Sequence, residues 1–210
     1  MKENNISSSV IKRLPRYYRF LGELKKQNVS RISSSALAKL MNLNASQIRQ
    51  DLNCFGGFGQ QGYGYNVEML YGGIGEILGL YTPTKAIMLG VGKLGVVVAE
   101  NMNFEKQGFK LIGAFDIDPN VLGKTVAGLT VLSVEKLEEF CKENGPVAAF
   151  MCVPAAAAVE LSEKLIELGV TGFWNFSHYD IAIKHPEVSV ENVHFGDTLM
   201  RLSYKIKTNK

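Results

Sequence analysis

The chain has 210 residues, of which 46% are hydrophobic and 20% charged, a balance that supports a packed core and excludes global disorder. Its longest continuous apolar run, 147–153, is far shorter than the roughly 20 residues that a membrane-spanning helix needs. The net charge is +3, but residues 1–65 hold ten Lys or Arg against three Asp or Glu, and residues 66–210 hold 13 against 17. This asymmetry predicts two parts with different partners, the partner of the first part being a polyanion.

Cysteine and histidine usage argues against metal sites and disulfides. The sequence has no CxxC, HExxH or HxH motif, and the start of the chain lacks the apolar stretch of a secretory signal. The sequence therefore predicts no disulfide framework, no metal site, no membrane partner and a location in a reducing cytoplasm. The three cysteines are Cys54, Cys141 and Cys152, and the three histidines are His178, His185 and His194.

The first part has the pattern of a winged helix. Apolar residues at helical spacing from Val10 to Leu24 predict one helix of about 17–18 residues. A short helix over 36–41, a turn at 42–44 and a helix over 45–52 follow, which is the order of a helix-turn-helix. Five glycines stand among aromatic and amide residues in 55–65, a composition typical of the β-hairpin wing. A linker helix over 69–80 and a break at 81–84 end this part.

From residue 85 onward, short apolar runs alternate with amphipathic helices, the pattern of a parallel sheet covered on both faces. We therefore expect an α/β chain with a winged helix-turn-helix domain at 1–81, a doubly wound Rossmann-like domain at 82–192 and a C-terminal helix at 193–210. The predicted strands of the second part span 86–89, 110–115, 148–153 and 172–175, and the predicted helices span 94–103, 134–143, 156–168 and 197–207.

A glycine-rich turn follows the first of these strands. It reads Gly90-Val91-Gly92-Lys93-Leu94-Gly95, and its glycines permit a tight turn, close approach of a diphosphate and close packing of the next helix. Asp116 comes 21 residues after Gly95, at the end of the next strand. A carboxylate there can accept both hydroxyls of an adenosine ribose and repels a 2′-phosphate. The pattern predicts NAD(H) rather than NADP(H).

Two later strand ends carry further candidates for the same site. Val153-Pro154 and Asn175-Phe176 are expected to wall the cofactor crevice, because open α/β sheets bind ligands at the carboxyl ends of their strands. A dehydrogenase would also need a proton donor or acceptor. His178 is the one candidate near a strand end, and a loop histidine is the favoured interpretation. We assign no catalytic residue, and the chain is not predicted to be an enzyme.

The third helix carries polar residues opposite its apolar stripe. Glutamine can pair with adenine and arginine with guanine in the major groove, whereas serine and the arginines of the first helix can contact phosphates. The predicted DNA contacts are Arg13, Arg16, Ser46, Gln47, Arg49 and Gln50, with Gly59, Gln60, Gln61 and Tyr63 in the wing.

Taken in order, these motifs resemble the Rex family of redox-sensing transcriptional repressors. The resemblance implies a homodimer whose C-terminal helix is exchanged between subunits. It also implies that NAD+ permits binding to a palindromic A·T-rich operator and that NADH releases it. The motifs that carry the resemblance are 13–19 (RLPRYYR), 46–52 (SQIRQDL), 55–59 (FGGFG), 62–65 (GYGY), 90–95 (GVGKLG), 115–119 (FDIDP), 153–154 and 175–176.

The sequence departs from the family pattern in two places. Gln50 and Gln61 stand where many relatives have basic residues, which predicts weaker phosphate attraction or an altered operator preference. Family members link an arginine, here Arg19, with a tyrosine and an aspartate whose places are held by Met102 and His194. The resemblance thus implies an altered switch, and His194 predicts a response that depends on pH between about 6 and 7.

Two other functions stay open on the residues alone. One is a small NAD-dependent oxidoreductase with an appended helical bundle, against which the missing catalytic group argues. The other is a coenzyme A or nucleotide-binding module, against which Asp116 argues because coenzyme A carries a 3′-phosphorylated ribose.

Overall fold

A computed structural model describes residues 6–55, 59–60 and 63–208. Its contacts divide the chain into two compact units, Met1–Tyr81 and Thr82–Lys210. Helices long and apolar enough to cross a membrane are absent from the described residues.

The first unit is a helical bundle with a small three-stranded sheet. Strand β3 pairs antiparallel with both β1 and β2, which is the wing arrangement that the glycine-rich segment predicts. Its elements in chain order are α1 (Ser8–Ile11), α2 (Leu14–Lys26), β1 (Arg31–Ile32), α3 (Ser34–Met41), α4 (Ala45–Asn53), β2 (Gly59–Gln60), β3 (Gly64–Asn66) and α5 (Val67–Ile77).

The prediction of one continuous first helix was wrong, because the chain breaks between α1 and α2. Pro15 lies in the first turn of α2, where its missing N–H and its ring prevent continuation of the preceding helix. The linker helix α5 begins two residues earlier than predicted, because the Asn66 side chain caps it by accepting a hydrogen bond from the Met69 amide at 2.9 Å.

The second unit is a seven-stranded sheet of order β10-β9-β8-β4-β5-β7-β6, parallel except for the edge strand β6. Strand β4 lies between β5 and β8, so the strand order reverses at its carboxyl end. The strands are β4 (Thr84–Leu89), β5 (Phe109–Asp116), β6 (Thr125–Val126), β7 (Leu129–Ser133), β8 (Ala148–Met151), β9 (Gly172–Asn175) and β10 (Ser189–Asn192), and the helices are α6 (Lys93–Asn101), α7 (Leu137–Asn144), α8 (Ala155–Glu167), α9 (Ile181–Lys184) and α10 (Phe195–Thr208).

The fold class predicted from the sequence, a winged helix-turn-helix followed by a Rossmann-like sheet, is confirmed. In the second unit three strands were missed, namely β6, β7 and β10, and in the first unit β1 was missed, because these strands are short and their apolar alternation is weak. Strand β8 ends at Met151 rather than at residue 153, and residues Val134–Lys136 form a 3-10 turn before α7. Two apolar clusters cover the faces of the sheet, whereas α10 has no buried residue.

Candidate functional sites

The glycine turn joins β4 to α6 where the strand order reverses. Gly90 has a φ of +87°, and a Cβ there would lie 2.4 Å from the carbonyl oxygen of Cys152. A Cβ on Gly95 would lie 2.0 Å from the carbonyl oxygen of Gly90. Both positions require glycine because the neighbouring backbone leaves no room for a side chain, and Gly90 also because of its left-handed conformation.

Gly92 is different, because its surroundings are open. Among the described residues, no atom lies within 4 Å of a Cβ built there, and its φ of −72° suits any residue. Gly92 is the N-cap of α6, so the space beside it leads to the first amides of that helix. Those N–H groups and the helix dipole attract anions. The turn therefore fits the diphosphate of a dinucleotide.

The Asp116 carboxylate is held beside this turn by three backbone amides. Its Oδ2 accepts a hydrogen bond from the Val91 amide at 2.6 Å. Its Oδ1 accepts from the amides of Ile117 and Asp118 at 2.7 and 2.9 Å. A carboxylate has about four lone-pair sites, so about one is left for a ribose hydroxyl rather than the two that we expected from the sequence.

Val153, Pro154 and Phe176 lie at the carboxyl ends of β8 and β9. The Phe176 amide donates to the Met151 carbonyl at 3.0 Å, which ties the two strand ends together. Val153 and Phe176 are half-buried and Pro154 is exposed. These three residues therefore lie where an open α/β sheet offers its ligand crevice.

Asn175 does not fit its predicted role as a cofactor-binding side chain. It is 0% exposed. Its Nδ2 donates to the Tyr179 carbonyl and to Asn192 Oδ1, both at 2.8 Å, and its Oδ1 accepts from the amide and hydroxyl of Ser177. The carboxamide is thus occupied inside the protein, a property that no local sequence signal announces.

In the first unit, α3 and α4 form the helix-turn-helix. Asn42 ends α3 in the left-handed conformation, with a φ of +50°, which reverses the chain within a few residues. The side chains of Ser33 and Asn44 cap α3 and α4 by accepting from the Ala36 and Gln47 amides. Ile48 and Leu52 of α4 are buried, so the helix presents the opposite face outward.

The outward face of α4 carries the predicted DNA contacts. Ser46, Arg49 and Gln50 are exposed, and Gln47 is half-buried. The Arg49 guanidinium donates to the hydroxyls of Ser34 and Ser46 at 3.1 and 3.3 Å. These contacts orient Arg49 across the two helices of the motif while its other donors stay available.

Arg13 is engaged within the protein rather than free for phosphate. Its Nε and Nη2 donate to the two oxygens of Asp51 at 2.7 and 2.8 Å, and the Tyr17 hydroxyl donates to the same carboxylate at 2.7 Å. The Asp51 hydrogen bond raises the pKa of Arg13, and burial raises the pKa of Tyr17. The sequence reasoning missed Asp51. Its position three residues after Ile48 places the Asp51 carboxylate on the buried side of α4, and this spacing is the sequence signal for its role.

Arg16 also has internal contacts. Its Nη2 donates to the Met41 carbonyl at the end of α3, and its guanidinium lies 5.6 Å from the centre of the Phe20 ring. Arg16 therefore helps to hold α2 against α3.

The wing is described only in part. Gly59 and Gln60 form β2 and pair with Tyr65 and Gly64 of β3, and Tyr63 is 72% exposed. Gln61, also a predicted DNA contact, lies outside the described residues.

The predicted switch residues are divided between the two units. Arg19 is an exposed residue of α2 in the first unit. Met102 follows α6 and is 39% exposed. His194 comes just before α10, where its Nε2 lies 3.0 Å from the Ser177 carbonyl and its Nδ1 lies 3.7 Å from the Asp197 carboxylate. His178 is exposed, and its ring centre lies 5.4 Å from that of His194, so the structure places it in a histidine pair.

A cavity of about 500 Å³ opens beside the outward face of α4. Its wall is formed by Ile6, Ser7, Ser9, Val10, Arg13, Gln47, Gln50, Asp51 and Cys54. Grouped metal-ligating side chains, three or more together, are absent from the described residues.

Two family models match the chain. The family described as "Putative DNA-binding protein N-terminus" matches residues 5–53, and the family described as "CoA binding domain" matches residues 81–179. The two matches fall on the two compact units.

Curated relatives match over almost the full length. The redox-sensing transcriptional repressor Rex of Caldicellulosiruptor bescii is 49% identical over 205 residues, covering 98% of this chain and 94% of the relative. The repressor of the same name from Clostridium perfringens strain SM101 is 44% identical over 208 residues, covering 99% and 98%.

Solved structures of one repressor are similar throughout. The crystal structure of RSP with β-NAD+ and operator DNA matches with a TM-score of 0.91 and 45% identity, covering 97% of this chain and 94% of that one. The structure of RSP with β-NADH matches with a TM-score of 0.88 and 42% identity, covering 97% and 95%.

Proposed function

This chain belongs to the Rex family of redox-sensing transcriptional repressors, and we propose that it represses transcription by binding a palindromic A·T-rich operator, from which NADH dissociates it. The observation that carries this proposal is the union, in one chain, of a helix-turn-helix and a glycine turn fitted to a dinucleotide. NAD+ and NADH are the proposed effectors, double-stranded DNA is the proposed partner, and the cytoplasm is the proposed location. The relatives are named as regulators, and we assign no catalytic role.

The second unit supplies the cofactor site. The proposed contacts are the backbone of residues 90–95, the Asp116 carboxylate and the crevice wall of Val153, Pro154 and Phe176. The nicotinamide group would differ in charge and shape between its reduced and oxidised forms. The residues of the site distinguish the two forms by binding them with different affinity. A response follows only if one form binds one arrangement of the repressor better than another.

The first unit supplies the DNA contacts. Gln47 and Gln50 on the outward face of α4 are proposed to read bases, because glutamine matches the donor and acceptor pattern of adenine. Arg49 and Ser46 are proposed to contact the operator beside them. The wing residues Gly59, Gln60, Gln61 and Tyr63 are proposed to contact its minor groove. Arg13 and Arg16 retain some free donors for phosphate, but the main contribution of Arg13 is to place α4, and that of Arg16 is to hold α2 against α3.

Helix α10 supports a homodimer. Its apolar residues are all more than half exposed in the single chain: Phe195, Leu199, Met200, Leu202, Tyr204 and Ile206. An amphipathic helix with its apolar side in water is unstable by itself. We propose that a second copy of this chain covers it, with the helix exchanged between subunits. The double variant Leu199→Asp, Leu202→Asp is expected to sediment as a monomer.

The altered switch positions belong to the same proposal. Arg19 is proposed to respond to the state of the second unit, with Met102 and His194 in place of the tyrosine and aspartate common in the family. The Asp197 carboxylate near His194 offers a partner for a protonated imidazole, which supports a response that varies with pH. Titrating operator release by NADH from pH 6 to 8, in parent and His194→Gln, tests this. Equal pH profiles in the two proteins would argue against it.

Coenzyme A is the second candidate ligand for the second unit, because the matching family model carries that description. The Asp116 carboxylate disfavours a phosphorylated ribose by charge repulsion. Comparing the melting temperature with NADH, NADPH and coenzyme A separates the candidates, since only a ligand of the native state raises it. We expect the largest rise with NADH.

The decisive experiment measures binding of the full-length protein to a labelled palindromic A·T-rich duplex, alone and with saturating NADH or NAD+. We expect tight binding alone and with NAD+, and release with NADH. The matched control is Gly92→Ala, which alters only the cofactor turn. Equal affinity for the duplex with and without NADH in the parent protein would contradict the proposed function.

A further inference from the structure

The buried carboxamide of Asn175 links two segments that are distant in sequence. One is the loop 176–179 that follows β9 and includes the crevice residue Phe176. The other is the segment 192–194, which leads from β10 into α10. The Asn175 Oδ1 accepts from the Ser177 amide at 3.1 Å and from the Ser177 hydroxyl at 2.7 Å, and the Asn175 Nδ2 donates to Asn192 Oδ1 at 2.8 Å.

Further contacts join the same two segments. The Val193 amide donates to the Asn175 carbonyl at 2.8 Å, and the His194 Nε2 lies 3.0 Å from the Ser177 carbonyl. Asn192 in turn donates from its Nδ2 to Asp180 at 2.9 Å. Each residue from 192 to 194 is thus hydrogen-bonded to the segment 175–180.

Burial makes this arrangement rigid. Asn175 and Ser177 are 0% and 3% exposed, and a buried amide group that loses its partner carries the full cost of desolvation. All four hydrogen-bonding positions of the Asn175 carboxamide are used. A movement of the loop therefore has to be followed by the segment 192–194, or buried polar groups lose their partners.

Aromatic contact along the same route is weaker. The rings of Phe176 and Phe195 are tilted, with centres 6.3 Å apart, which is neither the offset-stacked nor the edge-to-face geometry that aromatic pairs prefer. The hydrogen-bonded network around Asn175 is therefore the better connection between the crevice and the start of α10.

We propose that Asn175, through Asn192, is a positioning residue that transmits occupancy of the cofactor crevice to helix α10. This inference rests on the proposed function, because it requires that NADH binds in the crevice and alters DNA binding. Asn175 contacts neither cofactor nor DNA in this scheme. Its role is to couple them.

The test uses Asn192→Ala in the full-length repressor. Asn192 is exposed, so truncating it removes the link to Asn175 and opens that place to water. The water can then accept the hydrogen bond that the Asn175 Nδ2 donated to Asn192 Oδ1. The matched control is Asn120→Ala, which removes another exposed asparagine, hydrogen-bonded to Asp118 in a turn. Three quantities are measured for each protein: operator affinity alone, NADH affinity, and operator affinity at saturating NADH. Energy transfer from the single tryptophan, Trp174, reports NADH binding.

We expect Asn192→Ala to keep operator and NADH affinities within about threefold of the parent, while the ratio of operator affinities without and with NADH falls at least about fivefold. A residue with a merely structural role would lower both affinities and leave that ratio unchanged. An unchanged ratio in a folded Asn192→Ala protein overturns the inference. A parent protein without any NADH response overturns the proposed function instead.

A second measurement needs no variant. Hydrogen exchange of the amides at 193–198 is compared in the parent protein with and without NADH. We expect NADH to change the exchange of these amides along with those of 176–179. A change confined to 176–179 overturns the inference.

Discussion

The guanidinium of Arg13 and the carboxylate of Asp51 form a bidentate pair, with N–O distances of 2.7 and 2.8 Å. The pair joins the residue before α2 to the buried side of α4. Asp51 is 2% exposed, and its carboxylate accepts hydrogen bonds from this guanidinium and from the Tyr17 hydroxyl. The ion pair on the inward side of α4 therefore fixes the orientation of its outward face.

Asp51→Asn is expected to lower the free energy of unfolding of the first unit by about 3 kcal/mol, because it removes one partner of a largely buried pair. Operator affinity should fall with it, while NADH affinity stays the same. Chemical denaturation and NADH titration measure the two effects, and Asp118→Asn in an exposed turn is the control. Unchanged stability would show that Arg13 and Asp51 do not hold α4 in place.

Gly92→Ala and Gly95→Ala are expected to behave differently. The methyl group at residue 92 meets open space among the described residues, so the protein should fold normally. Because the methyl occupies the approach of the diphosphate, NADH affinity should fall at least about tenfold, or about 1.4 kcal/mol. At residue 95 the methyl would lie 2.0 Å from the Gly90 carbonyl, and stability should fall. Melting temperatures and NADH titrations test both. Full NADH affinity in Gly92→Ala would place the diphosphate elsewhere.

Asp116→Asn is expected to narrow the preference for NADH over NADPH, because it removes the charge that repels a 2′-phosphate. The single carboxamide oxygen can replace only one of the two carboxylate oxygens, so the variant loses either the Val91 hydrogen bond or those of Ile117 and Asp118. Both cofactors should therefore bind more weakly while the preference between them narrows. Dissociation constants for both cofactors measure the preference, and Asp118→Asn serves as the neighbouring control. An unchanged ratio of the two constants would count against the assignment of Asp116 to the ribose.

The three cysteines are expected to differ in reactivity. Burial raises the pKa of Cys152 to about 12 and also raises the pKa of Cys141, so both thiols stay protonated near pH 8. Cys141 is also buried, whereas Cys152 is half-buried. Cys54 is half-buried in the cavity beside α4 and should be alkylated first, more slowly when the operator is bound. Mass spectrometry after iodoacetamide treatment locates the label. Labelling of Cys152 as fast as that of Cys54 would contradict the raised pKa of Cys152.

Gln50→Lys is expected to steepen the salt dependence of operator binding by about 0.9 in the slope of log affinity against log salt, because the lysine neutralises a phosphate in exchange for the base contact proposed for Gln50. Gln50 is exposed on α4, so folding should be unaffected. Lys39→Gln, which removes one positive charge from the preceding helix α3, is the control for the effect of net charge on the salt dependence. An unchanged slope would indicate that residue 50 does not lie near a phosphate.

Local patterns in the sequence were sufficient for the main elements. The glycine turn and the strand before it follow from residue type and spacing, as does the helix-turn-helix with its capping residues Ser33 and Asn44. These features depend on neighbours within a few residues, where backbone preference and hydrophobic periodicity act. Strand β10 was missed because its pairing depends on β9, whose paired residues lie 17 positions earlier in the chain.

The role of individual polar residues was decided by tertiary structure. The sequence alone determined that this protein joins a helix-turn-helix to a dinucleotide turn. It could not distinguish an arginine that faces solvent from Arg13, whose partner Asp51 is 38 residues away. Nor could it show that the carboxamide of Asn175 is saturated by Ser177 and Asn192. Hydrogen bonds between distant segments form only after the chain has folded, because burial and the positions of both partners set their strength.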